Sequence, residues 1–202
     1  RRTAREVYDL AVELGFSYWS WQASFRLVWS ELVAPVGGTP AIGDFDSVQR
    51  KIVESAGTSM AYHFCLHAEI LCIRERPGDA WRALDEGLRE VQARGVTYWA
   101  EEIYRWQGEI LLDGKSQPGL EEKAGPAEAE RLFQMALEQA RSHGSKFLEL
   151  RAALSLGKLW KSQDRTQEAH ALVAQARQGF TGESPDLREA REFLESCSID
   201  EN

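Results

Sequence analysis

The chain has little cysteine, little proline and no long apolar run. Its three cysteines are too few and too scattered for a disulfide framework, which excludes the class of small secreted domains held together by disulfides. No segment approaches the roughly 20 apolar residues that a membrane span needs, and no signal peptide is recognisable. We therefore expect a protein of the reducing cytoplasm.

Positive charge is also in deficit. Lys and Arg number 24 against 32 Asp and Glu, which gives a formal net charge of −8. A chain with this balance has no general attraction for polyanions. We expect neither nucleic acid nor membrane among its partners.

Motifs that carry chemistry are missing as well. The sequence has no phosphate-cradling glycine loop, no nucleophile elbow and no zinc signature. His63 and His67 lie one helical turn apart, but Cys65 projects about 200° away from His63, so the three cannot converge on one metal ion. The adjacent Glu101 and Glu102 point about 100° apart, which is unsuited to a paired acid and base. We expect no catalytic residue, no metal and no cofactor in this chain.

The sequence does contain abundant helix-forming residues, and 43% of its residues are hydrophobic. No stretch alternates apolar and polar residues long enough to indicate a sheet. Glycines, prolines and capping residues such as Ser184 bracket the helices. The pattern predicts an all-α fold with helices near residues 3–14, 16–33, 44–55, 59–75, 77–94, 96–112, 126–143, 145–163, 166–180 and 185–196.

Small residues recur on these helices at a regular interval. Gly108 lies 40 residues after Ala68, and Gly157 lies 49 after Gly108, which equals the same period if nine residues of the loop 113–125 are an insertion. Each is followed by an alanine, a bulky apolar residue and a second small residue. These are Ala80, Leu84 and Gly87; Ala129, Phe133 and Ala136; and Ala169, Val173 and Ala176. Val28 marks a possible first repeat.

This spacing fits the tetratricopeptide (TPR) pattern, with helices longer than usual by about a turn and a half. It predicts a right-handed α-α superhelix, a solenoid of helical hairpins at residues 16–55, 59–95, 96–144 and 145–182, with a capping helix at 185–197. In such arrays small residues let two helices approach closely and the bulky residue fills the space between successive hairpins.

The segments WAEEIYRWQGEILL (99–112), AEAERLF (127–133), LELRAA (148–153) and SPDLREA (184–190) resemble the C-terminal TPR-like region of bacterial signalling ATPases. That family joins a class III adenylate/guanylate cyclase or a DNA-binding domain to an ATPase module and a helical tail. The resemblance covers about residues 16–194, and it departs from the family at 113–125 and 37–46. It implies a non-catalytic sensor or scaffold cut from a longer protein whose cyclase and ATPase chemistry lies elsewhere.

In TPR arrays the first helix of each hairpin lines a concave groove, at positions six and three before the small residue and one after it. Those positions, extended by Lys161 one turn farther along the last helix, predict an exposed partner-binding groove lined by Gln22, Phe25, Trp29, Tyr62, Glu69, Glu102, Arg105, Glu109, Arg151, Leu154, Lys158 and Lys161. We expect a protein or peptide, or another domain of the same chain, to bind there. Two alternatives are open, namely a small-molecule sensor that controls attached domains, and a spacer or self-association module that forms a homodimer.

Overall fold

The computed structural model describes residues 2–16, 19–20, 22–24, 26–27, 60–95, 97–113 and 125–199. Across these residues the chain is all-helical and contains no strand, which confirms the all-α prediction. The helices are α1 (Arg2–Glu13), α2 (Met60–Ile73), α3 (Pro77–Arg94), α4 (Ala100–Leu112), α5 (Pro126–Ser142), α6 (Lys146–Ser162), α7 (Thr166–Arg177) and α8 (Pro185–Ile199). The described residues between 19 and 27 are also helical.

The chain forms two compact units, residues 1–97 and 98–202. In the first unit, α2 and α3 pack on each other as a hairpin. In the second unit, each helix from α4 to α8 packs on the next, and α6 also contacts α4 and α8. The central helix α6 consequently has ten buried residues among its 17.

One turn geometry recurs between consecutive helices. The second residue of the connections after α2, α5 and α6 is left-handed, with φ of 57° at Glu75, 67° at Gly144 and 62° at Asp164. In each case the next backbone N–H donates to the carbonyl five residues earlier, at 2.8, 2.8 and 2.9 Å. Gly15 ends α1 in the same way. This is the Schellman ending of a helix, and it satisfies carbonyls that the helix leaves unpaired.

The predicted close approaches at small residues are confirmed. A Cβ added to Gly108 would lie 2.4 Å from a ring carbon of Phe133, and one added to Gly157 would lie 2.9 Å from Val173 Cγ2. Gly87 similarly has no room, because Phe64 fills the space. Ala68, Ala80 and Leu84 are fully buried. The small residues therefore set how near neighbouring helices lie.

Some predicted helix ends are wrong by a few residues. The helix α4 begins at Ala100, not Val96, because Trp99 has a left-handed backbone with φ of 73°. The helix α7 stops at Arg177, not Phe180, because ψ of 137° at Gln178 is incompatible with a helix. The cap prediction holds, since Ser184 Oγ accepts the Leu187 N–H at 3.2 Å. The predictions at Val28 and over residues 28–59 lie outside the described residues.

Candidate functional site

In the first unit one of the predicted groove residues, Gln22, lies in the core with a polar partner. Gln22 is 3% exposed, and its Oε1 lies 2.6 Å from His63 Nε2 on α2. The prediction that Gln22 is exposed is therefore wrong, because a buried amide needs a hydrogen-bond partner and His63 supplies it. Tyr62 and Glu69 are half-buried on α2. The remaining predicted positions of this unit, Phe25 and Trp29, lie outside the described residues.

In the second unit the predicted site centres on an arginine of α4. Arg105 donates to Glu102 through Nη2 at 2.8 Å and through Nε at 3.0 Å, so the guanidinium and the carboxylate form a fork. Glu102 is only 2% exposed, and the prediction that it lies open to solvent is wrong. A carboxylate this deeply buried requires a charged partner, and two-point pairing with arginine is the favourable geometry.

The network continues from α4 to α6. Arg151 Nη1 lies 2.8 Å from Glu102 Oε1, so two arginines from different helices share one buried carboxylate. Ser155 Oγ donates to Glu109 Oε1 at 2.5 Å, and Arg105 Nη1 lies 3.2 Å from the same oxygen. Charged and polar side chains therefore tie the first helices of the two hairpins together. These side chains contact one another and are not merely surrounded by water.

Leu154 also departs from the prediction. It is 3% exposed and belongs to the hydrophobic core. The reason is that α6 is contacted by four other helices, so the position three residues before Gly157 is covered. Leu154 packs in the interior and cannot contact a partner at the surface.

The exposed members of the predicted set lie farther along α4 and α6. The side chain of Lys158 is 55% exposed, and those of Arg151 and Glu109 retain about a third of their surface. Lys161 Nζ donates to the Ser196 carbonyl of α8 at 2.9 Å. These four residues form the accessible part of the site in the second unit.

The helix α8 contributes acidic residues that the sequence reasoning missed. Glu189 pairs with Lys158, and Asp186 Oδ1 lies 3.6 Å from Arg151 Nε. Both acids fall on the side of α8 that meets α6, three residues apart. The spacing of the two acids on the predicted capping helix is visible in the sequence. The cationic residues of α6 that they contact could not be identified without the packing of the helices.

A second buried carboxylate lies at the start of α4. Glu101 is 1% exposed, and among the described residues neither of its oxygens has a hydrogen-bond partner. His143 Nδ1, at the end of α5, is 3.6 Å from Glu101 Oε1. The adjacent Glu101 and Glu102 therefore have different surroundings.

Glu149 joins the end of α5 to the start of α6. Burial raises its pKa, but hydrogen bonds from Lys146 Nζ at 2.8 Å and Arg141 Nε at 3.0 Å outweigh burial and hold the pKa below the ordinary value of 4.5. The Glu149 side chain is 7% exposed, whereas those of Arg141 and Lys146 are 41% and 67% exposed, so water screens these two contacts in part. The two contacts stabilise the turn between the two helices.

Another polar cluster links α5 to the turn between α6 and α7. Glu130 accepts hydrogen bonds from Trp160 Nε1 at 2.7 Å and from Arg165 Nη1 at 2.9 Å. The Arg165 guanidinium lies 4.3 Å from the centre of the Trp160 ring and also forks onto Glu168. The hydrogen bonds that Arg165 donates, to Glu168 first and then to Glu130, raise the pKa of Arg165. This cluster fixes the turn between α6 and α7.

No group of three or more His, Cys, Asp or Glu residues that could hold a metal ion occurs in the described part of the chain. None of its described helices is both long and apolar enough to cross a membrane. Comparisons with protein-family models, with curated proteins and with solved structures found no match.

Proposed function

We propose that this chain is a helical-repeat module of the TPR type that binds a polypeptide partner, has no catalytic activity of its own and regulates a larger signalling protein of the cytoplasm. The superhelical form is supported by the recurring Schellman turns and by the equivalent tight contacts at Gly108 and Gly157. Arrays of such hairpins use their adjacent first helices as a continuous binding surface.

The observation that carries the proposal is the charged face shared by α4 and α6. Glu102, Arg105 and Ser155 form its buried base, while Arg151 and Lys158 keep cationic groups at the surface. A preorganised base with exposed charges above it suits recognition of an extended or helical peptide, because the charges are fixed before the partner arrives.

The family resemblance supplies the regulatory half of the proposal. It implies a module that adjoins cyclase, ATPase or DNA-binding domains, and partner binding would shift their activity through a difference in affinity between two states. Measurable cyclase or ATPase turnover by the purified chain would refute the non-catalytic half.

Selection of peptides from a random display library against the intact chain tests the binding surface. Selected peptides should bind the chain with micromolar affinity and lose about ten-fold or more when Lys158→Glu is introduced, because an exposed cation in the site becomes an anion. The matched control is Arg131→Glu on α5, which makes the same charge change at a side chain of equal exposure, 55%.

The choice of Lys158 for this test follows from the structure. Arg105→Glu would add a carboxylate beside the buried Glu102 and would disturb folding as well as binding. If library peptides bind the chain but are unaffected by Lys158→Glu, or if Arg131→Glu weakens them equally, the proposed surface is wrong.

A further inference from the structure

The helix α8 is attached to the second unit by one apolar ridge. Leu187, Ala190, Phe193 and Cys197 are its buried residues, and their spacing of three, three and four places them on one side of the helix. This side packs on α6 and α7. Phe193 reaches the glycine of the repeat, since a Cβ on Gly157 would lie 3.2 Å from its Cζ. The ridge thus occupies a groove between α6 and α7, as the apolar side of a bound helical peptide does.

An ionic edge runs beside the ridge. Arg151, Lys158 and Lys161 of α6 contact, in order, Asp186, Glu189 and the Ser196 carbonyl of α8. Because the residue numbers of these contacts increase in the same direction along both helices, α8 runs parallel to α6. The three cations therefore match two carboxylates near the start of the docked helix and a carbonyl near its negative end.

The attachment of α8 is weaker than that of its neighbours. Among the helices of the second unit, α8 has the least extensive packing on the others. The connection from α7 contains Gly179 and Gly182, with φ of 84° and 95°. A helix with few packing contacts opens at a lower free energy than the central helices of the unit.

We infer that the groove of α6 and α7 is a docking site for an acidic amphipathic helix of a partner protein, and that α8 is its built-in competitor. The inference rests on the proposed function and specifies its partner chemistry. The partner helix carries acids three residues apart, next to an apolar ridge with the spacing of Leu187, Ala190, Phe193 and Cys197. Binding in trans requires release of α8, so the site is held closed until a partner competes successfully.

A fluorescent peptide of residues 183–199 in reducing buffer is the probe, and its anisotropy is measured with the intact chain and its variants. Two variants release α8 by different means, Phe193→Ala through the ridge and Asp186→Lys/Glu189→Lys through the ionic edge. Neither alters α6 or α7. The matched control is Glu192→Lys/Glu195→Lys, which makes the same charge change at two exposed positions of α8.

The peptide should bind both releasing variants about ten-fold or more tightly than it binds the wild-type chain or the control, because a tethered helix competes at millimolar effective concentration. A peptide that itself carries Asp186→Lys/Glu189→Lys should bind none of them. Hydrogen exchange should show faster exchange in α8 of the releasing variants alone, with α4 to α7 protected.

Equal affinity for all four chains, or equal binding of the charge-reversed peptide, would overturn the inference. The charge variant keeps the test decisive if Phe193→Ala fails to fold, since Asp186 and Glu189 are partly exposed. Failure here together with successful library peptides sensitive to Lys158→Glu would leave the proposed function intact and remove only α8 as the competitor.

Discussion

Replacing Gly108 with alanine will destabilise the second unit, although alanine is the better helix former. An added Cβ would lie 2.4, 2.8 and 2.9 Å from three ring carbons of Phe133, whereas ordinary contacts are 3.4–4 Å. The ring would have to retreat by about 1 Å at its nearest atom. Phe133 is fully buried, so no open space receives it.

The size of the effect follows from two opposing terms. Overpacking of a dense core costs about 1–3 kcal/mol, and three simultaneous close contacts favour the upper half of that range. Replacing glycine with alanine within a helix raises the stability of the helix by about 0.8–1 kcal/mol. We expect Gly108→Ala to lower the free energy of unfolding by about 1–2 kcal/mol.

Urea denaturation followed by circular dichroism measures this loss, which corresponds to a midpoint lower by roughly 0.5–1 M. Gly157→Ala is the graded comparison, since its nearest contacts are 2.9, 3.2 and 3.4 Å, and it should cost less. Combining Gly108→Ala with Phe133→Leu removes the outer ring carbons and should abolish most of the cost, giving a coupling energy of about 1–2 kcal/mol.

Two results would refute the reasoning. If Gly108→Ala raises stability by about 1 kcal/mol, helix propensity alone governs the position and the close approach to Phe133 is not real. If the cost is the same with and without Phe133→Leu, the ring is not what the new methyl group meets.

Three further predictions follow from individual contacts. The lowered pKa of Glu149 gives stability that is fully present above the unfolded value of 4.5 and is lost as pH falls through the lower folded value. Glu149→Gln should therefore lower the free energy of unfolding in urea by about 1 kcal/mol at pH 7, and should have no effect once Glu149 is protonated in both states. A cost that does not depend on pH, or an equal cost for the exposed control Glu138→Gln, would contradict this. Gly144→Ala should cost about 1–2 kcal/mol in thermal denaturation from backbone strain alone, since φ is 67° and a Cβ there meets nothing within 4 Å; no loss would show that the turn adapts. Glu101→Gln should raise the urea midpoint by the equivalent of about 1 kcal/mol, because the buried carboxyl group has His143 at 3.6 Å and no hydrogen bond among the described residues. A loss of stability would indicate a stronger partner than this contact.

Sequence reasoning located the helices well because their limits are set locally. The helix α3 begins and ends at its predicted residues, since Pro77 fits a first turn and Gly95 adopts the left-handed ending, with φ of 66°. Some of the exceptions are places where a residue adopts a backbone it does not prefer. Trp99, Glu75 and Asp164 are left-handed without being glycine, and no local rule predicts that.

Reasoning about the candidate site was less complete because contacts between helices depend on their rotation and spacing. The TPR register selected Glu102, Arg105 and Arg151 as neighbours on one face, and the structure brings these three together. It did not distinguish exposed from buried members, and it treated Leu154 as a surface residue. The repeat register predicts the direction in which a side chain points from its own helix, whereas its burial depends on how many other helices lie in that direction.

The sequence alone determined the helical class, the limits of most helices and the positions where two helices must approach closely, because breakers, caps and small residues act through neighbouring turns. Tertiary structure decided which charges meet across helices. Arg151 pairs with Glu102, 49 residues away along the chain, and Lys158 pairs with Glu189, 31 residues away. Local sequence predicts neither pairing. The difference arises because an ion pair depends on the relative placement of two helices, which only the packing of the whole unit fixes.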